Sequence, residues 1–213
     1  MTSKSIFKYG LAGLAALSAA ACASAPPSFP AVTEAPTDCA EFVDVGEAVL
    51  IAPEKEGKKN YEMLHGIDSY SSCVTSPNGD NNYYVIFELP EVTENRVFTI
   101  GSRVEGMRIL SPKISMLDSE GVPIREVKET DMFFRGLLYS TQIRPRENEQ
   151  YILFETDGTK VGDNYDSIVT GFTMGTQYSF SSSSEVARRR KFSYHGDIMI
   201  TVKDISDSVS TKN

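Results

Sequence analysis

A chain of 213 residues with a formal net charge of -8 excludes ordinary nucleic-acid binding, because neutralising phosphates requires a basic surface. Charged residues at 23%, hydrophobic residues at 40% and aromatics at 10% are the proportions of a globular protein with a packed interior. Once a leader and a tether are set aside, the remaining length suits one domain.

Lys4 and Lys8 precede a run of small and apolar residues from Gly10 to Ala21, the pattern of a secretory leader over residues 1–21. The run is shorter than the roughly 20 apolar residues that a membrane-spanning helix needs. Ala19-Ala20-Ala21-Cys22 resembles the lipobox of bacterial lipoproteins, in which the cysteine becomes amino-terminal and lipidated. It departs from that pattern at Ala19, where a large aliphatic residue is usual. The alternative is cleavage at Ala23-Ser24-Ala25, which leaves a soluble periplasmic protein. With Cys22 lipidated, the other two cysteines, Cys39 and Cys73, form a pair expected to be bonded in an oxidising compartment. Free or metal-binding thiols are the alternative, without CxxC spacing to support them.

Residues 22–38 carry Pro26, Pro27, Pro30 and Pro36 without apolar periodicity and read as a lipid anchor and extended tether. Ala23 after the cysteine favours the outer membrane, by resemblance to enterobacterial lipoprotein sorting. Residues 39–80 read as an amino-terminal extension, with one strand at Ala48–Ala52 and irregular structure after it. Ser76 to Asn82 is dense in turn formers. Tyr83–Leu89 is the strongest predicted strand, with Tyr83, Val85, Phe87 and Leu89 on one face. Further strands are expected at Arg96–Val104, Arg108–Leu117, Phe133–Ile143, Glu149–Thr156 and Phe192–Val202, with Pro112 confining the second of these to an edge or bulge. In the last, Ile198, Ile200 and Val202 alternate with polar residues. The expectation is an all-β antiparallel sandwich or jelly roll of roughly 8–9 strands over 39–203, tied to its extension by the disulfide. Its core is 82–203, and a flexible tail follows over 204–213.

The segments YYVIFELPEVTENRVFTI, ISMLDSEGVPI, EQYILFETDGTKVG and HGDIMITV, spanning about residues 82 to 202, resemble the pre-peptidase carboxy-terminal-like β-sandwich. More particularly they resemble the maltose-operon periplasmic protein family. The likeness is loosest between Gly162 and Arg190. It implies a non-enzymatic periplasmic or outer-membrane-associated β domain, with carbohydrate binding as one expected activity and no catalytic residues to carry over.

The residues themselves point to no cofactor. There is no GxSxG, and only His65 and His195 are available as a base for a serine hydrolase. A hydrolase with paired acidic residues assembled by the fold stays open. Asp157, Asp163 and Asp166 sit in a predicted loop rich in hard oxygen ligands, so they are candidates for calcium or simply a solvated hairpin loop. Arg188, Arg189, Arg190 and Lys191, after Ser181–Ser184, read as a cationic loop able to meet anionic envelope groups, or as a solubilising loop tip. Tyr165 and Tyr178 are candidate sugar-stacking rings. The expected partners are the membrane through its lipid and an envelope protein or glycan, and the expected place is the periplasmic side of the cell envelope.

Overall fold

The computed structural model describes residues 29–91, 94–174 and 181–206 and, within 166–189, the backbone alone. The strands are β1 Val49–Leu50, β2 Tyr61–Ile67, β3 Cys73–Thr75, β4 Asn81–Glu88, β5 Arg96–Glu105, β6 Arg108–Leu110, β7 Pro112–Leu117 and β8 Pro123–Glu126. They continue as β9 Phe133–Arg135, β10 Leu138–Ile143, β11 Tyr151–Thr156, β12 Asn164–Met174, β13 Ser181–Ser193 and β14 Gly196–Asp204. Two short 3-10 turns lie at Val45–Glu47 and Glu129–Asp131.

These strands form a mainly antiparallel β-sandwich. One sheet runs β1-β4-β11-β7-β8, with β3 also on β4. In the other, β14 lies between β2 and β5, β5 continues to β10 and β9, and the end of β5 leads through β6 to β13 and β12. Two pairings are parallel, β1 with β4 and β6 with β13.

Alternation builds the core as the sequence predicts. Ile198, Ile200 and Val202 of β14 are fully buried and meet Phe98 and Ile100 of β5 and Phe87 of β4 between the sheets. β4 is buried on its other face too, because Tyr84 and Ile86 join Val74, Leu117 and Leu153 in a second, smaller core packed against Val43, Val45 and Ala48. The strap formed by residues 39–48 therefore covers the outside of one sheet. It is fastened there by the Cys39–Cys73 disulfide, 34 residues apart, by Thr75 N donating to Ala40 O at 2.9 Å, and by Asp44 N donating to the Tyr84 hydroxyl at 3.1 Å.

Several boundaries differ from expectation, and the fold has fourteen strands among the described residues, not 8–9. The expected strand 108–117 breaks at Ser111, where the chain passes from one sheet to the other. Pro112 has no N–H to continue a ladder, and Ser111 N instead donates to Ser193 O. The expected strand 133–143 is a hairpin, folded at Gly136 with φ +65°, a conformation that favours glycine. The amino-terminal extension is part of the sandwich, since β2 pairs along its length with β14. The tether ends sooner than Asp38: Val32 N donates to Ser193 Oγ at 3.0 Å, Tyr194 N donates to Val32 O at 2.9 Å, and Asn81 Nδ2 donates to Pro36 O at 2.9 Å. At the other end Asp204 completes β14 and Ile205 N still donates to Asn95 O.

Candidate functional site

Two turns at one end of the sandwich frame a cleft of about 470 Å³. The first, Ser76 to Asp80, is closed by Ser76 N donating to Asp80 O and by Gly79 N donating to Ser76 O, each at 2.8 Å, with Gly79 in the left-handed region at φ +90°. The second follows β11, where Asp157 caps its own turn: Thr159 N donates to Asp157 Oδ1 at 3.2 Å and Lys160 N to Asp157 O at 3.1 Å. Ser111 holds this turn to the point where the chain changes sheets, its Oγ donating to Asp157 O at 3.0 Å.

Asn82, at the start of β4 and buried, joins the two turns. Its Oδ1 accepts from Gly158 N at 3.1 Å and its Nδ2 donates to Ser76 Oγ at 3.3 Å. Gly158 permits the close approach, because a Cβ there would lie 2.7 Å from the Tyr194 hydroxyl and 2.8 Å from Asn82 Oδ1.

The floor is apolar, formed by Ile114, Met132, Tyr139 and Phe192. Tyr139 sits in a cluster of rings, 5.0 Å from Phe134, 5.3 Å from Tyr165 and 6.0 Å from Phe192 between centroids. Burial, with smaller contributions from Tyr165 and Glu129, pushes its phenol up to about 12, so it stays a neutral hydrogen-bonding group.

At the mouth, Lys160 Nζ lies 2.9 Å from Glu129 and 3.4 Å from Asp157. Burial acts to lower the Lys160 ammonium, but hydrogen bonds and charge from Glu129 and Asp157 outweigh it and leave its pKa raised. The cleft thus offers fixed donors and acceptors around an aromatic floor. Its volume falls within the roughly 300–1,000 Å³ typical of small-ligand sites.

Of the residues singled out by sequence, Asp157 belongs to this cleft as a turn cap. Asp163 is exposed and Asp166 stands within β12, opposite Arg189 in register, so the three do not share one loop. Among the described residues no three His, Cys, Asp or Glu side chains gather as a metal site. Arg188, Arg189, Arg190 and Lys191 are not a loop tip but part of β13. Arg190 is buried and Lys191 exposed, because a strand sends successive side chains to opposite faces.

Tyr165 is half-buried in the aromatic cluster instead of standing free. Cys22 and Tyr178 lie outside the described residues. Ser193 and His195 are neighbours, but the Ser193 hydroxyl accepts from the backbone N–H of His195 at 3.1 Å and of Val32 at 3.0 Å. That hydroxyl clips the amino-terminal segment down and does not meet an imidazole as a nucleophile would. The cleft residues Asn82, Glu129 and Lys160 had no motif to announce them, since three separated turns bring them together. Compared with family models, curated proteins and solved structures, the chain matches none.

Proposed function

We propose that the protein is a non-enzymatic, lipid-anchored binding protein of the bacterial cell envelope that engages a surface glycan through the cleft beside Lys160. The observation that carries the reading is the cleft: a rim of amide, carboxylate and ammonium groups fixed by their own hydrogen bonds, over tyrosine and phenylalanine rings. A sugar presents hydroxyls to such a rim and C–H groups to such a floor. The Cys39–Cys73 bond supports an oxidising compartment outside the cytoplasm. The leader and Cys22 support anchoring by lipid, and Ala23 supports the outer membrane. The likeness to the maltose-operon periplasmic protein family supports the carbohydrate class without naming a sugar. An envelope protein as partner is the second reading, favoured by Phe133 and Leu137, each 56% exposed on the β9–β10 hairpin.

The test has two arms. Cells given labelled palmitate should label the wild-type chain and not Cys22→Ala, and equal labelling of both would contradict the anchor. Retention of the purified chain on envelope polysaccharide should fall by about tenfold or more in Lys160→Ala, equivalent to about 1.4 kcal/mol. Unchanged retention would contradict the cleft.

A further inference from the structure

We propose that the cleft selects uncharged sugars, and that the buried Tyr139 hydroxyl is the group on its floor that hydrogen-bonds them. The inference rests on the reading of the cleft as a glycan site and names the class of glycan it takes.

Tyr139 is 4% exposed and belongs to the cleft floor. Its backbone serves the sheet, standing opposite Ser102 of β5 and Phe134 of β9, and its ring serves the aromatic cluster. Its hydroxyl serves neither: among the described residues it donates to nothing and accepts from nothing. The Tyr61 hydroxyl, buried elsewhere in the same core, donates to Ile51 O at 3.2 Å. A buried hydroxyl without a partner lowers stability, and phenylalanine would fill the same place without that loss. Glu129, at the cleft mouth, is the carboxylate that acts on this phenol through space, so the hydroxyl stands within reach of what enters the cleft. An unpaired donor on the floor of a binding cleft is there for the ligand.

The charges of the rim set the class of ligand. Asp80, Glu126, Glu129 and Asp157 line the cleft against Lys113 and Lys160. Both ammonium groups are already matched, Lys160 by Glu129 and Asp157 and Lys113 by Glu155 at 3.4 Å. Asp80 and Glu126 are left without a cation among the described residues. A uronate or a phosphorylated sugar would bring its charge among unbalanced carboxylates and be repelled. The neutral phenol adds no charge of its own. It has one O–H to donate and lone pairs to accept, which match a sugar hydroxyl or an acetamido carbonyl.

Oligosaccharides released from the envelope are separated on an anion exchanger into an unretained fraction and an acidic one. The purified chain, carrying fluorinated tyrosine, is titrated with each fraction and followed by fluorine NMR. The Tyr139 line is the one missing from Tyr139→Phe. It should shift saturably with the unretained fraction and stay in place with the acidic one. Tyr139→Phe should melt no lower than the wild type and hold the unretained fraction about fivefold less tightly, the worth of one neutral hydrogen bond. A lower melting temperature would show that the hydroxyl serves the fold and would overturn the inference. So would an affinity unchanged in Tyr139→Phe, or acidic sugars held as tightly as uncharged ones. In each of these cases saturable shifts at residues 76–82 would leave the cleft reading standing, whereas binding of neither fraction would bring down both.

Discussion

Glu149 shows how one buried side chain holds a strand in place. Its carboxylate is 1% exposed and accepts from Arg125 Nε at 2.7 Å and Nη2 at 2.6 Å, and from Arg146 N at 2.9 Å, fixing β8 to the approach of β11. Removing one partner of such a pair leaves an uncompensated buried group. Glu149→Ala is expected to cost about 3 kcal/mol, the low end of that range because the Arg125 side chain keeps 25% of its surface. Denaturant unfolding would measure it, and a loss well below 1 kcal/mol would contradict the assignment.

The histidines give the molecule a pH dependence of definite sign. Burial lowers the pKa of His65, with Asp68 partly opposing. Burial and then Arg108 lower that of His195, again with Asp68 opposing. The unfolded chain takes up protons near pH 6.5 while the folded chain still resists, so stability is full above that pH and falls as pH decreases through it towards the folded pKa values. Thermal melts between about pH 7 and about pH 5 should drop less for His195→Gln than for the wild type. Equal drops would show that His195 is not a source.

At the scale of elements, the disulfided strap is the part most exposed to test. Chain-entropy reasoning gives a bond closing a loop of 34 residues about 3 to 4 kcal/mol, which for a domain of this size is roughly 10 °C in Tm. Reduction, or Cys73→Ala, should lower Tm by about that amount. A melting curve unchanged by reducing agent would contradict the strap's role over Tyr84 and Ile86.

Strands were legible in the sequence where apolar residues alternate, as in β5 and β14, or run on continuously, as in β4 and β11, which are buried on both faces. Breaks inside apolar runs were not legible. Ser111 and Gly136 turn the chain within segments that read as continuous strands: past Ser111 the run joins the other sheet, and past Gly136 it folds back to pair with β9. β2 sends Tyr61, Met63, His65 and Ile67 inward, but the polar His65 on the inner face and the exposed Leu64 on the outer face blur the alternation. β12 and β13 read as loops in the sequence because their serine, threonine and arginine content imitates one.

At the scale of the molecule, the sandwich carries a cleft at one of its ends, and the proposed lipid on Cys22 would anchor it. The disulfide was legible from the number of cysteines and the expected oxidising compartment. The cleft was not, since Asn82, Glu129 and Lys160 meet only through turns far apart in sequence. Gly158→Ala should leave the two sheets intact and push the second turn away from Asn82, with stability lowered by about 1–3 kcal/mol and glycan retention lost. Retention preserved with a confirmed shift of that turn would mean that the ligand binds elsewhere.

The most direct test of the cleft is an NMR titration of the isotope-labelled chain with oligosaccharides released from the envelope, following every backbone amide. The account predicts saturable shifts confined to residues 76–82, Glu129 and the turn Asp157 to Lys160, abolished in Asn82→Ala. Saturable shifts centred on the exposed Phe133 and Leu137 edge, or none with any envelope oligosaccharide, would contradict it.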